Sequence, residues 1–338
     1  KYKYTMENEI DRFYFLEKIL TDSKNNKSLK YISSGNYFES VNKDRFLIKN
    51  GIPDFFIDDK SIVTETQKDF YEKILFPNYN GLEDFGTLIE KAKESIFAEK
   101  LDREIPMNSK LLEAGSGTGQ LSLFLSRYKR QIFSIDLSLN SLQLGENFRN
   151  KNRISNVYFM KMNIFKLFFP KNFFDVIISN GVLHHTENPK KAFMTLTKYL
   201  KKDGYIIIGL YHKYGRIFTN IRQFIIKHFG DRFKILDKRN ISKNLSSAKK
   251  YAWFNDQYKN PKESSHTYSE ILDWFNKSEI EFISSIPFSF SNNISEQNLF
   301  TKKKIIPKNK IYFKEIFECF SASQIKEGGF FIMIGKKI

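Results

Sequence analysis

Glu113 stands two residues ahead of three glycines at alternate positions, Gly115, Gly117 and Gly119, in the run KLLEAGSGTGQL that starts at Lys110. An apolar strand ending in such a run can turn sharply, and a ligand can lie directly against a backbone without Cβ atoms. The spacing is not the Gly-x-Gly-x-x-Gly of dinucleotide sites, where a helix N-terminus takes a pyrophosphate. An acid at the strand end suits a ligand that carries an ammonium or a sulfonium. An ordinary strand-to-helix turn would read the same way, so the elements that follow have to decide.

The next apolar run, QIFSID, ends in Asp136. In a doubly wound sheet it lies beside the first strand, where an acid can accept both hydroxyls of a ribose. The competing role for Asp136 is the N-cap of the following helix. Asn163 ends a third strand, where its amide can meet an adenine amine. A fourth run, FFDVIISNGVLHH from Phe173, carries Asn180, His184 and His185 past its end. Pockets of open α/β sheets sit at such C-terminal strand ends. Acid, ribose site and adenine site in this order fit S-adenosylmethionine, which has a sulfonium, an ammonium and no pyrophosphate.

The elements that must hold these residues alternate. Strands are predicted at 110–114, 131–135, 156–162, 174–179, 205–210, 280–286 and 329–335, and helices at 119–127, 139–150, 189–201 and 268–277. Such alternation implies a mostly parallel sheet covered on both faces. Ahead of it, residues 1–20 pattern as a helix, short strands are expected at 29–32 and 45–48, and Asn50-Gly51 marks a turn needing positive φ. Residues 61–105 pattern as helices broken at 76–81. The organisation expected is therefore an N-terminal helix and small β module (1–60), a helical linker (61–105), and a main domain (106–338) with an insert at 211–266. The early module, having its own turns and strands, is expected to be dispensable for cofactor binding.

The bulk composition sets limits. The 338 residues are 41% hydrophobic and 28% charged, with a net charge of +17. That supports a substantial core and argues against global disorder. The lysines are scattered from Lys1 to Lys337, which reads as a solvated surface more than a nucleic-acid footprint. No apolar run reaches the ~18–20 residues of a membrane span. The N-terminus has no signal-peptide pattern, and a cytoplasmic location is expected. A single cysteine, Cys319, excludes an intramolecular disulfide and a cysteine-based zinc site.

Residues 105–210 resemble the class I S-adenosylmethionine-dependent methyltransferases in the content, order and spacing of these motifs. The resemblance implies a Rossmann-like seven-stranded sheet with its last strand antiparallel. It also implies that Glu113, Gly115, Gly117 and Gly119 meet the cofactor's amino acid end, Asp136 its ribose and Asn163 its adenine, with Asn180 on the same site. Many members carry Asp where Asn163 stands. Residues 15–57 look like a small zinc-ribbon-like module, on the run FLIKNGIPDF from Phe46, but lack its metal-binding cysteines, so no metal is expected. Residues 64–338 resemble a bacterial group with no assigned acceptor, through Phe70-Tyr71, the run FPNY from Phe76, and the insert runs LYHKYGR from Leu210, WFNDQY from Trp253 and ESSHT from Glu263.

The insert leaves the fifth strand at the cofactor edge, so it is the expected acceptor wall. His212, His266 and Tyr211 of the insert, together with His184 past the fourth strand, are the candidate catalytic groups, since a histidine there can act as a base near neutral pH. Arg216, Trp253, Asp256 and Tyr258 are the candidate acceptor-binding residues. The expected function is methyl transfer to a small-molecule O, N or C nucleophile. Two alternatives stand beside it: an RNA or translation-factor methyltransferase, motivated by the charge, and a cofactor-binding protein without catalysis. The oligomeric state is left open.

Overall fold

The computed structural model describes residues 2–74, 79, 81–237, 247–286, 298–303, 315 and 329–338. Cys319 and the Phe76, Pro77 and Asn78 of the expected FPNY segment lie outside them. Helix α1 (Tyr2–Glu17) leads into four short strands, β1 (Lys30–Ile32), β2 (Tyr37–Glu39), β3 (Arg45–Lys49) and β4 (Ile52–Pro53), paired antiparallel in chain order. Asn50 and Gly51 both take positive φ, 51° and 81°, between β3 and β4, as the Asn-Gly pair leads one to expect. β2 was not anticipated, because three residues carry too little alternation to read. Three helices follow: α2 (Ile62–Lys73), α3 (Phe85–Lys93) and α4 (Ile96–Glu104).

The main sheet has seven strands: β5 (Lys110–Ala114), β6 (Gln131–Asp136), β7 (Val157–Lys161), β8 (Phe174–Asn180), β9 (Leu200–Tyr211), β10 (Ile280–Ile286) and β11 (Phe330–Lys337). Their lateral order is β10-β11-β9-β8-β5-β6-β7. β9, β8, β5, β6 and β7 pair parallel, while β11 runs antiparallel to both neighbours. Reversal of strand order at β5 puts a crevice beyond the C-terminal ends of β5 and β8, where ligands enter such sheets. Helices α5 (Gln120–Leu125), α6 (Leu139–Lys151) and α7 (Pro189–Thr197) cover the faces. The helix expected over 189–201 stops at Thr197, and β9 begins at Leu200, earlier than the expected 205. Apolar side chains alternate between the two faces of each strand. Phe133 and Ile135 thus join one core and Ile132 the other.

The N-terminal module belongs to the first of these cores. Phe13, Leu16, Phe38 and Phe55 are buried with Phe133, Tyr158 and Phe168. Phe55 stacks on Phe168 at 5.0 Å and Phe15 on Tyr158 at 5.0 Å. The Phe55 N–H donates to the Lys161 carbonyl at 2.8 Å, and Asp54 forms a parallel bridge to Lys161. The module thereby covers the exposed edge of β7, an edge that would otherwise invite pairing with other chains. Arg12 reaches into the main domain and pairs with buried Glu146 at 2.7 Å. Removing the module would therefore uncover part of this shared core, whatever it did to cofactor binding.

The insert carries α8 (Ile217–Phe229), a 3-10 turn (Asp231–Leu236) and α9 (Ser247–Tyr258), and α10 (Tyr268–Lys277) follows it. Its two ends meet: His212 and His266 form a parallel bridge, and the His266 N–H donates to the Tyr211 carbonyl at 2.8 Å. Both ends therefore lie where β9 leaves the sheet, as the topology predicted.

Candidate cofactor and acceptor site

A cavity of about 450 Å³ opens at the switch in strand order. Glycine-rich turns form its floor. Gly115 and Gly117 line it with φ of 79° and 54°, conformations that L side chains avoid. Gly119 does not line it. A Cβ there would stand 2.2 Å from the Phe159 ring, so this glycine lets the turn lie tightly on β7.

Glu113, one residue before the end of β5, lines the cavity. Burial pushes its carboxyl up to about 7, against a Ser122 hydroxyl that donates to it. Among the described residues it has no ion-pair partner. A buried acid without a cation beside a cavity fits a cationic ligand. Asp136 accepts from the Gly117 N–H at 2.8 Å and the Ser138 N–H at 2.9 Å, one on each oxygen. Each carboxylate oxygen has two acceptor sites, so capacity for two further donors remains, as a vicinal diol would need. Burial raises its pKa, while the N–H groups of Ser138 and Gly117 oppose that. The helix cap is Ser138, which accepts from the Ser141 N–H, so the N-cap role for Asp136 is not the one observed.

Asn163 also lines the cavity, but its amide is already engaged. Its NH₂ donates to Asp59 at 3.0 Å and its oxygen accepts from the Phe165 N–H at 3.0 Å. An adenine contact there has to share those atoms. Asn180 lines the cavity from the end of β8.

The opposite wall comes from the insert and from α2. Tyr211, Trp253 and Asp256 line it, as expected, together with Gln257, His185, Thr64, Gln67 and Tyr71. The Tyr71 hydroxyl donates to Asp256 at 3.1 Å and accepts from Asn260 at 3.0 Å. Gln257 donates to the Tyr211 hydroxyl at 2.6 Å. Burial raises the pKa of both tyrosines, so both stay neutral.

Several expected residues stand behind this wall rather than in it. Arg216 is buried in a bidentate pair with Glu263 (2.8 and 2.6 Å), donates to Gln257 at 2.6 Å and lies 3.6 Å from the Tyr211 ring centroid. It holds Gln257 and Tyr211 in place. The Tyr258 hydroxyl donates to Asp237 at 2.8 Å. His266 is engaged by Glu270 at 3.0 Å and Ser264 at 2.9 Å. His212 is buried against Tyr268 and Phe331, and burial lowers its pKa to about 4.

His184, a candidate catalytic residue in the sequence, does not line the cavity, and its neighbour His185 does. Both sit in a 3-10 turn (Leu183–His185), where consecutive side chains point about 120° apart. His184 is buried away from the cavity with neither ring nitrogen hydrogen-bonded, and burial holds its pKa well below the usual value. His185 faces the cavity, and its Nδ1 lies 2.8 Å from the Lys262 carbonyl. A carbonyl only accepts, so Nδ1 carries the hydrogen and Nε2 is left as the acceptor. Among the described residues no group of three His, Cys, Asp or Glu side chains is arranged to hold a metal.

Residues 112–208 match the family model described as "Methyltransferase domain". This stretch, under a third of the chain, is similar to methyltransferase domains. The Bacillus subtilis protein named "Uncharacterized methyltransferase YcgJ" is 26% identical over 122 residues, 34% of this chain and 48% of that protein. The "Ubiquinone/menaquinone biosynthesis C-methyltransferase UbiE" of Pectobacterium carotovorum is 30% identical over 105 residues, 30% of this chain and 42% of that protein. The chain thus spans less than half the length of these relatives. Among solved structures, PKMT2 from Rickettsia typhi superposes with a TM-score of 0.52 at 17% identity, covering 72% of this chain and 52% of that one, a likeness of fold. No described helix is long and apolar enough to cross a membrane. The matched stretch runs from β5 into β9 and takes in the glycine turns, while α2 and the insert, which lie outside it, give the cavity its second wall.

The pH dependence of cofactor binding tests Glu113. In the unfolded chain this carboxyl titrates near 4.5 and in the fold near 7. The fold therefore holds the proton more tightly, and this group's contribution to stability falls as pH rises through that window. A cationic ligand needs the ionised form. Its affinity is expected to weaken as pH falls below about 7, approaching about tenfold per pH unit. Calorimetric titration with S-adenosylmethionine at several pH values checks this, and in Glu113→Gln the slope should vanish.

Proposed function

We propose that this protein transfers the methyl group of S-adenosylmethionine to a small-molecule acceptor held between the glycine turns and the insert. The observation that carries the reading is one cavity with two chemically different walls. Glu113, the glycine backbone and Asp136 suit a cationic nucleoside, while Tyr71, His185, Trp253 and Asp256 suit a second, smaller ligand. S-adenosylmethionine supplies an electrophilic methyl on a sulfonium leaving group. The chain has to hold the acceptor's lone pair in line with it, which is mainly a matter of position. Asp256, with Tyr71 and Gln257 fixing its two oxygens, would accept a donor group of the acceptor. His185 Nε2 would take the proton that the acceptor loses as its bond to carbon forms.

The experiment is turnover of labelled S-adenosylmethionine with fractionated small-molecule extract, followed by the same assay on two histidine variants. His185→Ala is expected to lose roughly 10²–10⁴-fold in turnover, with cofactor affinity retained. His184→Leu, which removes two unpartnered nitrogens from the core, should leave turnover near that of the unaltered chain. Equal losses in both would reject His185 as the base.

A further inference from the structure

Helix α8 is turned inside out. Its buried residues are Thr219 and Ile226, seven apart and hence on one face. Ile217, Ile221 and Phe224, spaced i, i+4, i+7 on the opposite face, are 43%, 51% and 59% exposed. Phe218 and Phe229 flank them, also exposed, and Ile235 and Leu236 of the following 3-10 turn are exposed in turn. A soluble helix ordinarily buries such a stripe, and contiguous exposed apolar surface marks an interaction site.

Exposed basic residues stand along the same stretch of chain. Between Lys213 and Asp237, Lys213, Lys227, Arg232 and Lys234 are exposed cations. The two acids of the segment are accounted for: Asp231 is paired with Lys259, and Asp237 is buried beneath Trp253 and Tyr258. We infer that this apolar, cation-rimmed face of α8 docks on an anionic lipid surface. An amphipathic helix with aromatic and aliphatic residues on one face and Lys and Arg beside them lies in the interface of such a bilayer. Anionic headgroups match the rim. A second copy of this chain would instead bring the same cations face to face on a protein of net charge +17. The surface is coupled to the cavity: Gln223 of α8 donates to the carbonyl of Gln257, which lines it.

The test is co-sedimentation of the full chain with vesicles of phosphatidylcholine alone or mixed with phosphatidylglycerol. Binding is expected to the mixed vesicles, to weaken with added salt, and to be lost in the double variant Ile221→Glu/Phe224→Glu. Those side chains are exposed, so the variant should fold, which its circular dichroism checks. Lys227→Gln/Arg232→Gln should weaken binding by about fivefold for each cation removed. No binding to mixed vesicles overturns the inference. So does equal binding to neutral ones, and so does a dimer in light scattering that the Ile221→Glu/Phe224→Glu variant dissociates.

Discussion

Glu146→Gln is expected to destabilise the protein by ~3–5 kcal/mol, the cost typical of breaking a buried ion pair from one side. Glu146 is fully buried on α6, between Arg12 of α1 and Arg149 of its own helix, at 2.7 and 2.8 Å. Burial alone would raise its pKa, but the two guanidinium groups outweigh burial and hold it below the usual value. The carboxylate therefore contributes stability at neutral pH that is lost on acidification below its unfolded value. Gln keeps the shape and removes the charge, which leaves two buried cations facing one another. The pair also ties the N-terminal helix to the main domain, so truncation before α2 would leave Glu146 with Arg149 alone and uncover Tyr158 as well. Chemical denaturation of the full chain measures the effect. A loss below about 1 kcal/mol, the range of a surface pair, would mean that the network is solvated and the module loosely attached.

Asp136→Ala is expected to weaken cofactor binding by ~1.5–3 kcal/mol, the usual worth of a hydrogen bond to a charged group. The carboxylate sits at the end of β6 beside the glycine turn and braces the Gly117 N–H and Ser138 N–H. Some of the loss would come from that turn. Asp136→Asn separates the parts, because an amide oxygen can still accept from one N–H while the charge is gone. Calorimetry on both, with thermal melts to establish folding, checks the assignment. Unchanged affinity in a folded Asp136→Ala would reject the ribose role.

The sheet was legible because its strands are apolar on both faces, with glycine after β5 and β8 and an acid at the end of β6, a pattern that survives without any knowledge of partners. β5, β8 and β10 fall within a residue of their expected limits. The place of Glu113, Gly115, Gly117 and Asp136 on the cavity was legible for the same reason, since each stands at or just past a strand end. The second wall was only half legible. Tyr211, Trp253 and Asp256 follow from where the insert leaves β9, but Arg216 and Tyr258 sit a layer back. Helical spacing inside an insert does not say which face meets a distant cavity. Thr64, Gln67 and Tyr71 were missed because nothing in the pattern of α2 says what it closes over. The one signal was Phe70-Tyr71 among the segments shared with the resembling group. That His185 rather than His184 lines the cavity was beyond reach, since neighbours in a 3-10 turn diverge and the turn itself is too short to read. Likewise, phenylalanines such as Phe55 and Phe168 carry no mark of their partner more than a hundred residues away.

The most direct measurement is a calorimetric titration of the unaltered full chain with S-adenosylmethionine, set beside one with NAD. The account predicts saturable one-to-one binding of S-adenosylmethionine in the micromolar range typical of enzyme ligands (about 1 μM–1 mM), and none of NAD, whose pyrophosphate the Gly115–Gly119 spacing does not suit. Binding of NAD, or failure of a folded protein to bind S-adenosylmethionine, would contradict it.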